Sequence, residues 1–224
     1  RRCRDLLEVC EGQVQFTRRS PDGSQIPMPV FGGTRGPLIL KSLVDNEAVF
    51  ATHVQKLRNI DYDALDVRAT RWHEDFNTQF KSSLRDLEMM TQNIINTSFE
   101  NVSTVAAGVE LLEAFQVLAR CESIKRCVEK KVTDILSHFI KQCAHYKRHF
   151  ESSRHSPPIH QDEPRNGGGA DWTSGIRREI ARDWKFLLST VSGMDKSMVR
   201  VDVVAEAQDE YQALMTVLNE YIIK

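Results

Sequence analysis

Apolar residues recur at helical spacing along a long stretch of this chain, from Ile124 to Phe150. Each follows the previous one by three or four positions, so the mean step is close to the period of an α-helix, about 3.6 residues. The intervening members of the series are Val128, Val132, Ile135, Phe139, Cys143 and Tyr146. Because the step matches a straight helix, the stripe stays on one face and imposes no left-handed supercoil. The pattern therefore predicts a long amphipathic helix packed in a bundle.

The same spacing recurs over most of the remaining sequence, and sustained period-two alternation is scarce. We therefore predict an all-α chain with about seven helices. These helices are expected at about residues 5–15, 37–59, 64–99, 104–120, 124–150, 171–191 and 204–221.

Proline and glycine divide this helical pattern into three predicted parts. Residues 1–152 are expected to form an N-terminal helical bundle with a proline- and glycine-rich loop at 20–36. Residues 153–170, which hold two consecutive prolines and three consecutive glycines, are expected to form a linker. Residues 171–224 are expected to form a helical hairpin that continues beyond the fragment, because no capping signal ends it.

The loop at residues 30–37, VFGGTRGP, shares its glycine content with phosphate-binding loops. A phosphate-binding loop needs a lysine and a hydroxyl residue directly after its last glycine, but here Pro37 follows Gly36. We therefore interpret the three glycines as positive-φ turn positions and the proline as the first residue of the next helix. The glycines are Gly32, Gly33 and Gly36.

The composition indicates no general attraction to polyanions. The chain has 30 basic and 31 acidic residues and a net charge of -1, so neither nucleic acid nor a membrane is expected as a partner. No run of about 18 apolar residues is long enough to span a bilayer. The cysteines are odd in number and lack C-x-x-C spacing, which is typical of a reducing compartment. They are Cys3, Cys10, Cys121, Cys127 and Cys143.

Two histidines one helical turn apart, His145 and His149, have the only spacing in the sequence that resembles a metal site. A zinc hydrolase adds a glutamate beside the first histidine and a third ligand. Tyr146 occupies that place, and Lys147 and Arg148 between the histidines disfavour a cation. Motifs for nucleophilic catalysis are also missing from the sequence. We therefore predict no catalytic residue, no metal site and no cofactor in this segment.

A run of basic residues lies in the sixth predicted helix, at Arg177, Arg178 and Arg182. It alternates with the acidic Glu179 and Asp183. Because the opposite charges are interleaved, the run is interpreted as a solvated helix face and not as a nucleic-acid site.

The last predicted helix has a different period, because its apolar residues alternate in steps of three and four. This is the a/d pattern of a coiled coil, and an exposed seam of this kind would dock a partner helix. Fewer than three heptads are present, so a single helix of a bundle fits the pattern equally well. The six candidate interaction residues are Val204, Ala207, Tyr211, Leu214, Leu218 and Tyr221.

Six stretches of the chain carry longer motifs. They are DLLEVCEGQVQFTRR at 5–19, PVFGGTRGP at 29–37, LDVRATRWHEDFN at 65–77, DLEMMTQNIINTSFENVSTVAAGVELLEAF at 86–115, IKRCVEKKV at 124–132 and PPIH at 157–160. In this order they resemble the N-terminal tail of dynein heavy chains of the axonemal type. The resemblance is close over roughly the first 160 residues and looser after Asn166.

The resemblance implies an elongated, rod-like stem made of stacked antiparallel helical bundles. In that family the stem associates with another heavy chain, binds intermediate and light chains, and attaches the arm to the axoneme through docking factors. ATP hydrolysis belongs to a ring of AAA+ modules downstream. The resemblance therefore implies a non-catalytic segment of a microtubule motor subunit, located in the cytoskeleton of cilia or flagella.

Two other functions are kept as alternatives at this point. The first is a free-standing cytosolic helical adaptor or tethering protein, which the amphipathic helices would also suit. The second is an enzyme whose only support is the pair His145 and His149.

Overall fold

The computed structural model describes residues 2–17, 22, 24, 27, 29–66, 68–158 and 165–223. The seven α-helices in these residues are α1 (Arg2–Phe16), α2 (Gly36–Arg58), α3 (Lys81–Phe99), α4 (Val105–Gln116), α5 (Glu122–Ser153), α6 (Arg165–Gly193) and α7 (Val201–Ile223). A π-helical segment, His73–Phe80, leads directly into α3, and a 3-10 turn, Lys196–Met198, precedes α7. The described residues contain no strand. The prediction of an all-α chain of about seven helices is therefore confirmed.

The chain forms two compact units. Unit 1 contains Arg1–Asn101 and Glu113–Val128, and unit 2 contains Val102–Leu112 and Glu129–Lys224. Helices α4 and α5 each contribute residues to both units. The division into domains at residues 153–170 that the sequence suggested stays a prediction.

Unit 1 is built around buried aromatic rings. Trp72 and Phe76 stack with ring centroids 5.3 Å apart, and Phe76 and Phe80 stack at 5.6 Å. These three residues are four positions apart, a spacing that drifts by about 40° per step around an α-helix. Along the π-helical segment, which has more residues per turn, the three rings nevertheless stack in one column. Phe16 of α1 and Phe50 of α2 complete the cluster.

Polar contacts attach α1 to the start of this aromatic column. The Trp72 indole Nε1 donates to Oδ2 of Asp5 at 2.9 Å, and both side chains are buried. The Arg2 guanidinium donates to the carbonyl oxygens of Ala64 and Ala69, at 3.2 and 2.6 Å, and lies over the Trp72 ring. Lys81 pairs with Glu8 at 2.8 Å. Helix α1 is therefore held by paired charges as well as by apolar contact.

The third predicted helix begins later than expected. Residues 61–66 and 68–70 form turns, and helical structure starts at Arg71 instead of Ala64. The cause is local, because the Asp63 carboxylate accepts the N–H of Leu65, and Asp66 accepts that of Arg68. Aspartate side chains that bond the backbone two residues ahead favour turns over helix.

Helices α2 and α3 are antiparallel and share one buried polar contact. Asn46 Nδ2 donates to Oγ1 of Thr91 at 2.7 Å, and Thr91 donates to the carbonyl oxygen of Leu87. Asn46 and Thr91 are less than a tenth exposed. Because a buried donor is costly unless it is paired, this contact favours the observed register of the two helices, although Asn46 Oδ1 is buried without a partner among the described residues.

The glycine-rich loop has only one positive-φ glycine among the described residues, Gly33, at +71°. The expectation for Gly33 is confirmed, and that for Gly32 and Gly36 is wrong. Gly36 is required for a different reason, since a Cβ there would overlap the carbonyl oxygen of Phe31. It is the first residue of α2, and Pro37 is therefore the second and not the first.

Three helices of unit 2, α5, α6 and α7, form an up–down–up arrangement. Trp184 of α6 stacks on Phe139 of α5 at 5.3 Å and on Tyr211 of α7 at 5.4 Å. Near the other end of these helices, Phe150 stacks on Trp172 at 5.7 Å and meets Tyr221 edge-on at 5.3 Å. The predicted stripe on α5 is confirmed, because its residues are buried except Tyr146, which is half-buried.

Helix α6 begins at Arg165, so the predicted linker is wrong over residues 165–170. Its glycine run is helical, with Gly168 and Gly169 buried. A Cβ on Gly169 would lie 3.0 Å from the Tyr221 hydroxyl oxygen. Here glycine permits close approach of α6 and α7, although the same residues are typical of linkers. Residues 159–164 of the predicted linker lie outside the described residues, and residues 154–158, with both consecutive prolines, are not helical.

The two helical glycines Gly36 and Gly175 should respond in opposite ways to alanine. Gly36→Ala should lower the free energy of unfolding by about 1–3 kcal/mol, because the methyl group forces the Phe31 carbonyl to move. A Cβ on Gly175 would meet open space, so Gly175→Ala should raise stability by about 0.5–1 kcal/mol through helix propensity. Urea unfolding followed by circular dichroism measures both. Equal effects of the two changes would contradict the close approach at Gly36.

Candidate interaction site

The six candidate residues of α7 face the interior of unit 2. Ala207, Leu214 and Leu218 are at most 1 % exposed. The other three, Val204, Tyr211 and Tyr221, are half-buried. The expectation of an exposed seam is therefore wrong, and the alternative of a single bundle helix fits this placement.

The two tyrosines of this seam have partners within unit 2. Tyr211 stacks on Trp184, and burial raises its pKa above the ordinary value. The Tyr221 hydroxyl donates to the carbonyl oxygen of Arg154 at 3.2 Å. The Tyr211 ring is thus fixed by α6, and the Tyr221 ring by the residue that follows α5. A role of the six residues in binding another chain stays a prediction.

Leu214 and its neighbour Ala213 provide a matched test of this placement. Leu214→Asp should destabilise unit 2 by about 4 kcal/mol or more, because it removes apolar contacts and buries a charge. Ala213 is exposed, so Ala213→Asp should change stability by less than about 0.5 kcal/mol. Thermal unfolding followed by circular dichroism at 222 nm compares the two variants. Retention of full helicity and unfolding temperature in Leu214→Asp would show that the leucine lies outside the core.

The two histidines of the metal hypothesis lie side by side on α5. Their rings are nearly parallel, with centroids 6.5 Å apart, and His149 also meets the Trp172 ring edge-on at 5.8 Å. No group of three or more potential ligand residues that could hold a metal ion is found among the described residues. The pair is therefore an exposed feature of α5 whose further ring contacts are with Tyr146 and Trp172.

These histidines line a polar groove between α5 and α6, here called the α5–α6 groove, with a volume of about 590 Å³. From α5 it is lined by His138, Gln142, His145, Tyr146 and His149, and from α6 by Glu179, Arg182 and Asp183. Ser103 and Thr104, which precede α4, and Ala106 at the start of α4 complete the lining. All of these residues belong to unit 2.

The carboxylates of the α5–α6 groove are engaged by its own residues. Asp183 is 6 % exposed and accepts from Gln142 Nε2 at 3.2 Å and from Arg182 Nη2 at 3.4 Å. Burial, followed by the hydrogen bond to Glu179, raises the pKa of Tyr146 to about 12. The Tyr146 hydroxyl therefore stays protonated near neutral pH and donates to Glu179. Both carboxylates of the groove thus accept hydrogen bonds from its own residues, whereas Gln142 Oε1 is buried without a partner among the described residues.

A second polar groove, of about 650 Å³, lies in unit 1 between α2 and the π-helical segment. Its lining holds two cations, Lys56 and Arg71, and two carboxylates, Asp61 and Asp75. Arg71 pairs with Asp61 at 3.0 Å, and the Tyr62 hydroxyl donates to Asp75 at 2.5 Å. Because its two cations and two carboxylates balance, this groove offers little net charge to a ligand.

Cys143 lies in the core of unit 2 and is 1 % exposed. Burial, followed by the charge of Glu210, raises the pKa of its thiol to about 12. The reactive thiolate is therefore scarce at neutral pH, and the thiol acts as a small apolar side chain. Cys3 and Cys10 on α1 are exposed.

Alkylation rates should distinguish the exposed cysteines from the buried Cys143. At pH 7.5, iodoacetamide should modify Cys3 and Cys10 within minutes and leave Cys143 unmodified until the protein is unfolded in guanidinium. Peptide mass spectrometry of samples alkylated before and after unfolding reads each site. Equal alkylation rates for Cys143 and Cys3 in the folded protein would contradict the burial of Cys143.

None of the described helices is long and apolar enough to cross a membrane.

Sequence reasoning did not find the α5–α6 groove, although a signal was present. His138, Gln142, His145 and His149 follow the helical steps of four, three and four, so they share one face of α5. Which helix covers that face depends on tertiary contacts.

Antiparallel helices with buried aromatic seams and polar surface grooves define a helical scaffold. The sequence model of the family described as "Dynein heavy chain, N-terminal region 1" matches residues 1–224, and the chain belongs to this family. The resemblance seen in the motifs is confirmed. The match also covers the residues after Asn166, where the motifs fitted loosely.

Individual relatives support the same assignment. The chain is 38% identical over 221 residues to the "Dynein-1-beta heavy chain, flagellar inner arm I1 complex" of Chlamydomonas reinhardtii, a match that covers 99% of this chain and 5% of the relative. It is 35% identical over 217 residues to "Dynein axonemal heavy chain 2" of Homo sapiens, covering 97% and 5% respectively. It is 26% identical over 220 residues to the "Dynein beta chain, flagellar outer arm" of Chlamydomonas reinhardtii, covering 98% and 5%. The chain thus spans about one-twentieth of the length of these relatives.

Proposed function

We propose that this chain is a non-catalytic tail segment of an axonemal dynein heavy chain and acts as an assembly scaffold in a ciliary or flagellar motor. The observation that carries the proposal is the family match along residues 1–224, together with relatives named for inner and outer flagellar arms. In this proposal the parent chain is an ATP-driven microtubule motor whose AAA+ ring lies outside these residues.

The proposed partners are a second heavy chain, intermediate and light chains, and factors that dock the arm on the axoneme. Support comes from relatives whose names place them in arm complexes. The distribution of side chains also fits a scaffold. Large apolar residues such as Phe76, Phe139 and Leu218 are used for the chain's own core, and the two grooves present polar groups at the surface.

The free-standing adaptor receives no support from the family match. The enzyme alternative depends on His145 and His149, which lie 6.5 Å apart with aromatic and basic neighbours. These two residues are therefore better suited to contact another molecule than to bind a catalytic metal.

Deletion of these 224 residues from the native heavy chain should prevent assembly into axonemes and leave ATP hydrolysis intact. The shortened chain should retain ATP hydrolysis in extracts, because the proposal places hydrolysis elsewhere. It should be absent from salt-washed axonemes and should no longer co-purify with intermediate chains. Immunoblots of axonemes and an ATPase assay measure the two properties.

The pair Leu214→Asp and Ala213→Asp in the full-length chain gives a finer control. Only the variant with a damaged core should reduce incorporation into axonemes. Normal incorporation of the deleted chain would rule out the scaffold function. Loss of ATP hydrolysis on deletion, with assembly intact, would instead indicate a catalytic contribution.

A further inference from the structure

The segment that follows α5 lies on the surface of unit 2 and is held at two points. The Arg154 carbonyl oxygen accepts from the Tyr221 hydroxyl at 3.2 Å. Pro157 lies beside Gly169 of α6, because a Cβ added at Gly169 would be 3.4 Å from Pro157 Cγ. Ser156, between these two contacts, is exposed. The chain therefore presents this serine from a fixed place on unit 2.

Ser156 differs from Ser152, an exposed serine four residues earlier. The Ser152 hydroxyl donates to the carbonyl oxygen of His149 at 2.8 Å, inside α5. No hydrogen bond joins the Ser156 hydroxyl to another described residue, and residues 154–158 are not helical. Within the described part of the chain, the backbone of residues 155–158 makes one backbone–backbone hydrogen bond, from the Ser156 N–H to the Ser153 carbonyl oxygen at 3.0 Å. Because one exposed hydrogen bond contributes little, this stretch can enter another protein's active site at low cost.

Proline follows Ser156 directly, and a second proline follows the first. A proline disfavours helical conformation at the residue before it, and its ring fixes its own φ. Residues 155–158 therefore favour the extended form in which peptide segments bind a protein kinase. The sequence has one other serine followed by proline, Ser20, and no threonine followed by proline. Ser20 lies outside the described residues.

The sequence around Ser156 is basic. Residues 147–158 include three basic residues and one acidic residue, Glu151, so their net charge is +2 with neutral histidines. A phosphoserine carries about −1.5 to −2 charges at neutral pH. One phosphate therefore cancels the positive charge of this stretch. The exposed Arg154 guanidinium, two residues away, is a suitable partner for the phosphate.

We propose that Ser156 is a phosphorylation site for a proline-directed serine/threonine protein kinase. In this step the Ser156 Oγ attacks the γ-phosphorus of ATP, an Oγ–P bond forms, and the bond from that phosphorus to the β,γ-bridging oxygen breaks. ADP leaves with the bonding electron pair, and the hydroxyl proton passes to an aspartate of the kinase. The phosphate changes the surface charge and leaves the core of unit 2 intact, because Ser156 is exposed. The site goes beyond the proposed tail function and is argued from unit 2 alone.

The test uses the purified 224-residue chain with Ser20→Ala, so that Ser156 is the one remaining serine followed by proline. The chain is incubated with a mitogen-activated protein kinase and Mg²⁺-ATP, and each site is measured by peptide mass spectrometry. Ser152 is the matched serine in the same segment. A synthetic peptide of residues 148–162 is the unfolded comparison. Pro157→Ala and Ser156→Ala are the variants, and circular dichroism checks that both retain the helical fold.

Phosphate should be found on Ser156 and not on Ser152. The folded chain should react no more than about tenfold more slowly than the peptide, because opening the segment breaks one exposed backbone hydrogen bond. Pro157→Ala should lower the rate at Ser156 by about tenfold or more, since the kinase loses its contact with the proline ring. Ser156→Ala should abolish labelling of this segment. Phosphorylation should shift the unfolding temperature by less than about 2 °C.

Several results would overturn the proposal. Absence of phosphate from Ser156 in both the chain and the peptide would show that the kinase does not recognise this sequence, and labelling of the peptide alone would show that the folded chain does not present it. Equal labelling of Ser152 and Ser156, or an unchanged rate in Pro157→Ala, would exclude direction by the proline. A fall in unfolding temperature of more than about 5 °C on phosphorylation would show that the Ser156 hydroxyl is part of the packed structure. Each result can occur whether or not the parent chain assembles into axonemes, so the site and the proposed tail function are tested separately.

Discussion

Each unit depends on aromatic rings buried between helices. In unit 1 the column Trp72, Phe76 and Phe80 contacts α1 and α2, and in unit 2 Trp184 joins α5 to α7 by packing against both Phe139 and Tyr211. A buried aromatic side chain stabilises by about 2 kcal/mol through removal of its surface from water, with a further gain from ring geometry. A few such residues therefore fix the order and direction of the helices. The charged side chains remain free to define the surface.

This division of roles decides which parts of the chain are available to partners. An apolar heptad seam on α7 suggests a docking helix, but Ala207, Leu214 and Leu218 are used to close unit 2. The accessible features are polar ones, such as the α5–α6 groove, where Asp183 is buried and accepts from Gln142 and Arg182. Which polar groups of such a surface already have a partner within the chain is a property that only tertiary contacts determine.

Periodicity alone predicted the helical class and the buried face of α5, because residues such as Val132 and Phe139 must leave water wherever the helix packs. Sequence-based prediction was wrong where the same residue type occurs in two different kinds of structure. Gly169 resembles part of a linker but lies inside α6, where it allows close approach of Tyr221. The third helix was expected to begin at about residue 64, but the Asp63 carboxylate accepts the N–H of Leu65 and stabilises a turn there. The positions of these two residues depend on neighbours that local propensity does not include.

The candidate site was less predictable than the fold for a related reason. Catalytic sites repeat a fixed set of residues because the chemistry requires them, and their motifs can be recognised in a sequence. A scaffold surface has no such requirement, since it combines polar groups of neighbouring helices that lie far apart in the sequence, such as His145 and Arg182. The family was therefore recognised from extended stretches such as residues 86–115, which contain both core and surface positions. The arrangement of the surface depends on pairs such as Asp183 and Gln142, which lie 41 residues apart in sequence and are joined by a single hydrogen bond.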